Sequence, residues 1–320
     1  MDSSTYCQIS LSLCVFNYTT FMQLIIYYLV YPIILGISKL PWRLFYAFST
    51  FAYILVYYVI RYRRKTVTGN LQLVFPEKSK KEIHDISKSF YKHMCDMFLE
   101  MTKSLSISRE ELIKRYKVVN LDEFHEFERK NKSIITLMGH YGSFEWSNAV
   151  DLVSLNPCVG IYKQIENKYF DRLAHRIRGR FDSRLIPSHK VARQIIKDKK
   201  EGTVCGYGMI SDQSPKIYNA KYWTDFMGVK VPIFLGGEFL AQRLDVIVLY
   251  LHVEKVKRGH YEVRFIPISE NSKEEEPYFI IKKYLQLLEN QIREKPQYYL
   301  WTHKRWKHRN SQIPEGAIVD

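Results

Sequence analysis

The residues of this sequence best suited to chemistry are His140 and Glu145, which lie five positions apart. An imidazole titrates near neutral pH, so it can remove the proton of a hydroxyl group as the oxygen attacks a thioester. A carboxylate on the second ring nitrogen fixes the tautomer and stabilises the imidazolium that forms. The pair therefore predicts a general base, His140, with Glu145 as its partner. In the alternative interpretation, His140 packs at a strand end and Glu145 is a favourable acidic residue at a helix N-terminus.

The elements around the pair must bring the two side chains together. Residues 133–138 form a β-rich run, and a polar turn and a helical stretch follow it. A five-residue step is too long for neighbours on one helix, so we expect His140 in the turn and Glu145 in the first helical turn. Gly139 and Gly142 permit a tight backbone between them.

The rest of the chain alternates in the same way, which predicts an α/β fold with a mixed sheet flanked by helices. Residues 66–118 are predicted to be mostly helical, with one helix starting at Ser79–Glu82. Further strands are predicted at 158–162, 203–209, 246–253 and 261–266, and helices at 110–116, 169–181, 190–199, 234–242 and 277–294. No linker divides the predicted core. We therefore predict an N-terminal membrane anchor at 1–60 and one catalytic domain at 61–320.

Two polar segments could bind substrate. Arg178 and Arg180 lie in an arginine-rich stretch, and guanidinium groups bind phosphates in a bidentate manner, although a solvated basic helix face has the same composition. Asp212 and Gln213 follow a predicted strand, where α/β folds commonly build sites, although an ordinary turn has the same residues. We predict all four as substrate-binding residues, with Asp212 orienting the acceptor or holding an arginine.

The N-terminal region predicts a membrane anchor. Residues 21–38 contain no charged side chain, and a second apolar stretch, 44–60, ends in Arg61–Lys65. Each stretch is close to the ~20 residues that cross a bilayer, and a basic cluster beside such a helix marks the cytoplasmic side. A cleavable signal peptide is disfavoured because no Lys or Arg precedes the apolar stretch. A buried core helix is the alternative, and Met22 is a more natural start than Met1.

The net charge of +15 requires an acidic partner, which could be nucleic acid, an anionic membrane, a phosphorylated lipid or an acidic carrier protein. Residues 303–309 mix basic and aromatic side chains, which favours anchoring at anionic lipid over nucleic-acid binding. The five cysteines lack C-x-x-C spacing and the histidines lack metal-ligand spacing, so we expect neither a disulfide framework nor a metal site.

The segment Met138–Trp146, MGHYGSFEW, resembles the catalytic block of the late acyltransferases of lipid A biosynthesis, the lauroyl and myristoyl transferases of Gram-negative bacteria. The resemblance extends in the family's order over roughly residues 22–310. Its other blocks are 62–65, 70–71, 75–76, 178–187, 211–215, 226–228 with Pro232, and 301–307.

The resemblance implies an acyl-carrier-protein thioester as donor and a hydroxyl of a phosphorylated glycolipid, a lipid A precursor, as acceptor. It also implies a glycerolipid-acyltransferase-like core, His140 as base with Glu145 as partner, no metal and no further cofactor. The expected location is the bacterial inner membrane with the catalytic domain on the cytoplasmic face, and nucleic acid is not an expected partner.

The sequence departs from the family at two places. Ser143-Phe144 stands where Asn-Trp is common, and Arg178-Gly179-Arg180 leaves open which arginine is functional. Two other functions stay open at this point. One is acyl transfer to another glycerolipid, aminolipid or glycolipid, and the other is a non-catalytic protein with a basic membrane-binding surface.

Overall fold

The computed structural model describes residues 22–181 and 183–320, so the predictions for residues 1–21, including Cys7 and Cys14, lie outside the described residues. The helices are α1 (Met22–Lys39), α2 (Trp42–Ile54, continued by a π-helical turn, Leu55–Ile60), α3 (Arg64–Val74), α4 (Lys80–Lys103), α5 (Arg109–Arg115), α6 (Leu121–Arg129), α7 (Lys168–Arg178), α8 (Val191–Lys200), α9 (Gly236–Leu244) and α10 (Phe279–Glu294). A 3-10 helix spans Phe144–Leu152.

The strands are β1 (Tyr116–Val118), β2 (Ile134–Met138), β3 (Cys158–Tyr162), β4 (Arg184–Pro187), β5 (Gly206–Ile210), β6 (Tyr222–Phe226), β7 (Val229–Pro232), β8 (Ile247–Lys257), β9 (His260–Ser269) and β10 (Ile318–Val319). Seven of them form the main sheet in the order β1-β9-β8-β2-β5-β3-β4. The strands from β8 to β4 are parallel to one another, whereas β9 is antiparallel to β8 and parallel to β1. The sheet is therefore mixed, as predicted.

The central strand β2 is buried along its whole length, and four of its five residues are apolar. All five residues from Ile134 to Met138 are buried, as is typical of a parallel strand covered on both faces. Helix α9 contacts β2, helix α10 contacts β8 and β9, and α8 contacts α9. Helices α4 and α5 contact the 3-10 helix that follows β2. This arrangement confirms the predicted α/β fold.

Helix α4 starts where the sequence predicts. Ser79 accepts a hydrogen bond from the Glu82 backbone, and the Glu82 carboxylate accepts one from the Ser79 backbone. This capping box satisfies two backbone donors at the helix start. The inner face of α4 then contacts both α2 and the 3-10 helix. It therefore joins the N-terminal helices to the segment that carries His140.

The C-terminal aromatic block differs from the prediction. Trp301 and Trp306 are stacked on each other and are at most 1% exposed, and Trp306 also stacks on Phe226 of the second sheet, β10-β6-β7. Each indole nitrogen donates to a backbone carbonyl within the protein. The interpretation of Trp306 as a headgroup anchor is wrong, because its ring is buried between Trp301 and Phe226.

Candidate active site

His140 and Asp212 meet because they follow adjacent parallel strands in the same register. Met138 of β2 pairs with Ile210 of β5, so each of the two residues lies two positions beyond its strand's last pair. The carboxyl ends of parallel strands meet at one edge of the sheet, which is where open α/β sheets bind ligands. The side chains of His140 and Asp212 are 16% and 2% exposed, respectively.

Asp212 holds His140 through two hydrogen bonds. Its Oδ1 lies 2.6 Å from His140 Nδ1, and its Oδ2 accepts the His140 backbone N–H at 3.1 Å. A carboxylate at Nδ1 takes that nitrogen's proton as a donor and leaves the lone pair on Nε2. The ring is therefore fixed in the orientation and tautomer of a general base that acts through Nε2.

The electrostatics of this pair favour a charged imidazole. Burial alone would lower the pKa of His140, but the charge and hydrogen bond of Asp212, with a further contribution from Glu145, raise it. Burial alone would also raise the pKa of Asp212, but its interactions with His140 lower it. The site thus keeps Asp212 ionised and stabilises the imidazolium that proton transfer creates.

Glu145 contacts Arg178, and the predicted contact of Glu145 with His140 is wrong. Arg178 donates from Nε to Oε2 at 2.9 Å and from Nη2 to Oε1 at 2.7 Å, which is a bidentate ion pair. Glu145 does lie in the first turn of the 3-10 helix, as predicted. From there its carboxylate faces the end of α7, and the partner position on His140 is already filled from the neighbouring strand.

The two pairs nevertheless share one site, since the charges of both Glu145 and Arg178 act on the His140 ring. Arg178, the last residue of α7, is the arginine brought to the site. Arg180 instead donates to the backbone carbonyl of Ser104 at the end of α4. The pKa of the Arg178 guanidinium is raised despite burial, because Glu145 stabilises its charge.

Gln213 contacts Nε2 of His140, the ring nitrogen through which a general base would act. Its side-chain amide nitrogen lies 3.0 Å from His140 Nε2. Gln213 is half-buried, so its side chain has an open side. Asp212 and Gln213, both predicted to bind substrate, therefore contact His140 directly, one at each ring nitrogen.

The loop that carries His140 is fastened by backbone contacts to residues 298–300. Leu300 N donates to His140 O at 3.0 Å, and Gly142 N donates to Tyr298 O at 2.9 Å. Gly142 has a φ of +58°, and a Cβ there would lie 2.8 Å from Val253, so the turn requires glycine. A narrow crevice beside His140 is lined by apolar residues of α4, including Met94 and Met97.

A buried carboxylate beneath this loop was missed by the sequence analysis. Glu100 of α4 accepts hydrogen bonds from Ser143 at 3.1 Å, Tyr46 at 3.0 Å and Tyr261 at 2.8 Å. Its backbone carbonyl also accepts the indole N–H of Trp146. No motif marks Glu100, because its partners come from three distant segments. Its position on α4 gave no clear signal either, since the buried face of that helix also holds His93 and Asp96.

The site is built without a cluster of metal ligands. Among residues 22–181 and 183–320, no three His, Cys, Asp or Glu side chains converge as ligands would. The histidines nearest to His140 serve other contacts. His93, for example, is buried between Lys255 and the carbonyl of Gly142, and burial lowers its pKa far below the usual value.

The fold and site define an α/β protein with a histidine–aspartate pair at the carboxyl edge of a mixed sheet. Such a pair is suited to removing the proton of a hydroxyl group that accepts a transferred group. The chain belongs to the bacterial lipid A biosynthesis acyltransferase family, whose model matches residues 17–308. It is therefore an acyltransferase.

Three relatives are similar over most of their length. The lipid A biosynthesis lauroyltransferase of Escherichia coli (strain K12) is 20% identical over 254 residues, which are 79% of this chain and 81% of the relative. The lipid A biosynthesis palmitoleoyltransferase of the same organism and a lipid A biosynthesis acyltransferase of Shigella flexneri are each 21% identical over 260 residues, 78% of this chain and 80% of the relative.

Two helices are long and apolar enough to cross a membrane, Met22–Lys39 and Trp42–Ile60. Few of their residues are buried inside the protein, 6% in the first apolar stretch and 17% in the second. A soluble protein rarely exposes so much contiguous apolar surface. The helices therefore suggest that the protein associates with a membrane.

Proposed function

We propose that this acyltransferase moves a fatty acyl chain from an acyl-carrier-protein thioester to a hydroxyl of a lipid A precursor at the cytoplasmic face of the bacterial inner membrane. The observation that carries the proposal is the His140 ring, held at Nδ1 by Asp212 and with its Nε2 3.0 Å from the amide of the half-buried Gln213. The family and its relatives support the lipid acceptor. The net charge of +15 supports an acidic carrier and a phosphorylated acceptor.

In the proposed reaction the acceptor hydroxyl displaces the Gln213 amide and donates its hydrogen bond to His140 Nε2. The hydroxyl oxygen forms a bond to the thioester carbonyl carbon as the proton passes to Nε2, and the C–S bond breaks. The imidazolium, stabilised by Asp212, then protonates the leaving thiolate of the carrier. A base placed in this way contributes about 10²- to 10⁴-fold to the rate. The reaction requires no metal and no cofactor beyond the acyl-carrier-protein co-substrate.

We propose that Arg178 binds a negatively charged group of the substrate. Glu145 occupies Nε and Nη2 of its guanidinium, so an anionic oxygen of the acceptor or of the carrier's phosphopantetheine arm would meet Nη1. Glu145 then acts by fixing Arg178, and its role is that of a positioning residue. Arg180 lies two residues further on and is proposed to extend the basic surface toward the same phosphorylated substrates.

The most informative experiment compares lipid A in a strain without the gene, in the complemented strain and in a strain complemented with His140→Ala. We expect an additional acyl chain by mass spectrometry only with the unchanged protein. A parallel assay supplies labelled acyl carrier protein with defined acceptors. Labelling of phosphatidic acid with unaltered lipid A would refute the acceptor, and a lipid profile indifferent to His140→Ala would refute catalysis by this site.

A further inference from the structure

Arg305 is an arginine that the fold buries almost completely, since it is 1% exposed. Its Nη1 donates to Ser214 Oγ at 3.0 Å and to the carbonyl of Pro232 at 3.2 Å. Within the described part of the chain, its Nε and Nη2 have no hydrogen-bond partner, so no carboxylate touches this guanidinium. A guanidinium keeps its charge in proteins, and a buried charge is costly unless an opposite charge compensates it. The structure must therefore supply that charge from nearby.

Asp212 is a buried negative charge in the complementary position. It is 2% exposed, and its carboxylate accepts hydrogen bonds from the His140 backbone, the His140 ring and the Tyr299 hydroxyl. Among the described residues, its ion-pair partner is His140 itself. Because a base must be neutral before it accepts a proton, none of these partners carries a charge in the resting site. The negative charge of Asp212 then requires a second, permanent cation.

Two residues connect Arg305 to Asp212. Ser214, two positions after Asp212, accepts a hydrogen bond from Arg305 Nη1 and donates one to the Arg305 backbone carbonyl. Tyr299, which donates to Asp212, lies within the field of the Arg305 charge. Burial lowers the pKa of Arg305, and the groups that oppose this are Tyr299, Asp212 and Tyr284. Asp212 is the carboxylate among them, so the two buried charges face each other across this small cluster.

We propose that Arg305 is the counter-charge of Asp212 and a positioning residue of the transfer reaction. Through Ser214 it fixes the loop that carries Asp212, and through its charge it keeps Asp212 ionised while His140 is neutral. An ionised Asp212 holds the tautomer of His140 and stabilises the imidazolium that forms. The same positive charge opposes early protonation of His140, which keeps the base available near neutral pH. The inference rests on the proposed function, because it assigns Arg305 a part in that reaction.

The other ionisable groups around the pair hold their charge while His140 titrates. They come from all the segments packed around the site: Tyr250 of β8, Tyr284 of α10, Tyr299 and His303 of the C-terminal segment, His93 of α4, Glu145 of the 3-10 helix and Arg178 of α7. Burial raises the pKa of the three tyrosines well above the usual value. It lowers the pKa of both histidines, that of His303 to about 4. Glu145 and Arg178 are paired with each other. The acid limb of the rate therefore reports the coupled titration of His140 and Asp212.

The first test compares the pH profiles of kcat/KM for Arg305→Met and Arg305→Lys in the full-length enzyme. Methionine removes the charge but keeps an unbranched, adaptable side chain, whereas lysine keeps the charge. Loss of a nearby positive charge makes protonation of the pair easier, whether the proton goes to His140 or to Asp212. The acid limb should therefore move to higher pH in Arg305→Met, by about one unit for a charge roughly 10 Å away at an effective dielectric constant of about 20. In Arg305→Lys it should stay close to its original position.

Ser214→Ala is the matched control for the hydrogen bond to the Asp212 loop. It removes the contact with Nη1 and leaves the Arg305 charge in place, so the acid limb should not move even if the rate falls. A merely structural role of Arg305 would lower kcat/KM in Arg305→Met without moving the limb. That result, or an equal movement of the limb in Arg305→Met and Arg305→Lys, would overturn the inference.

A second measurement requires no enzymatic activity. Melting temperatures are compared at neutral pH for Arg305→Met, Asp212→Asn and the double variant, since residues whose interactions are coupled give non-additive effects. If the two charges compensate each other, Arg305→Met should lower the melting temperature less in the Asp212→Asn background than in the unchanged protein. An equal or larger decrease in that background, including a double variant that does not fold, would overturn the inference.

The two measurements also separate this inference from the proposed function. Additive melting temperatures together with an essential His140 would overturn the inference and leave the proposed function intact. A lipid profile indifferent to His140→Ala would refute the proposed function, and with it the part of Arg305 in the reaction, whatever the melting temperatures are.

Discussion

The substitution Asp212→Asn tests which carboxylate serves His140. Asp212 makes two hydrogen bonds to His140, and a hydrogen bond to a charged group contributes about 1.5–3 kcal/mol. Asn keeps the shape of the side chain but neither its charge nor two equivalent acceptors. If both contributions are lost in the transition state, kcat/KM is expected to fall by about 10²- to 10⁴-fold, since each 1.36 kcal/mol changes a rate tenfold.

The pH profile separates this role from a structural one. The proposed base His140 can accept a proton only when its ring is neutral, so activity is expected to fall as the pH falls through its pKa. Asp212 raises that pKa, and its replacement should therefore move the acid limb of kcat/KM to lower pH. In Glu145→Gln, the matched control, activity should fall through the loss of the Arg178 pair, with a smaller movement of the limb, because Glu145 makes no hydrogen bond to the ring.

The assay measures initial transfer rates from acyl carrier protein to the lipid acceptor as a function of pH. Thermal melting of each variant verifies that it is folded, because Asp212 is buried. The reasoning would be refuted if Asp212→Asn kept near-normal kcat/KM while Glu145→Gln moved the acid limb. In that case Glu145 would be the partner of His140 during catalysis.

Four further outcomes are expected. The acid limb of kcat/KM for the unchanged enzyme should lie above the usual imidazole pKa of 6.5, because the pKa of His140 is raised by Asp212. Initial rates measured over a range of pH give the position of this limb. Arg178→Lys should lower kcat/KM by roughly tenfold or more, because lysine cannot form the bidentate pair, whereas Arg184→Lys, at another arginine–carboxylate pair, should not. Gln213→Leu should increase thioester hydrolysis measured without acceptor, because it frees Nε2 for water. Gly142→Ala should lower the melting temperature, through about 1–3 kcal/mol of backbone strain and a clash with a neighbouring strand.

The sequence was sufficient for the elements whose signal is local. The runs at β2 and β3, the capping box of α4 and the amphipathic pattern of α7 and α10 each depend on residues within a few positions of one another, and each was predicted to within a few residues. Strands β1, β4, β6 and β7 were missed, because they have three to five residues and depend on pairing with distant strands.

In the candidate site, too, the contacts that depend on distant segments could not be predicted from the sequence. The residues His140, Glu145, Arg178, Asp212 and Gln213 were all singled out, but their pairing was not predictable. The interpretation of His140 and Glu145 as a pair rested on their spacing along the chain and on the family resemblance, whereas the contact of His140 with Asp212 depends on which strands are neighbours in the sheet. That neighbour relationship is a property of the topology, and a single sequence gives no direct signal of it.

The backbone contacts between the catalytic loop and residues 298–300 have a consequence for biosynthesis. Gly142 and His140 are held by a segment that is translated well after the loop that carries them, and that segment is in turn fixed by Arg63 and Asn70, whose side chains donate to the carbonyls of Thr302 and Trp301. A nascent chain therefore lacks the last support of this loop until residues 298–302 have left the ribosome. The proposed base is thus expected to reach its final geometry only after segments from both sides of it along the chain have been synthesised.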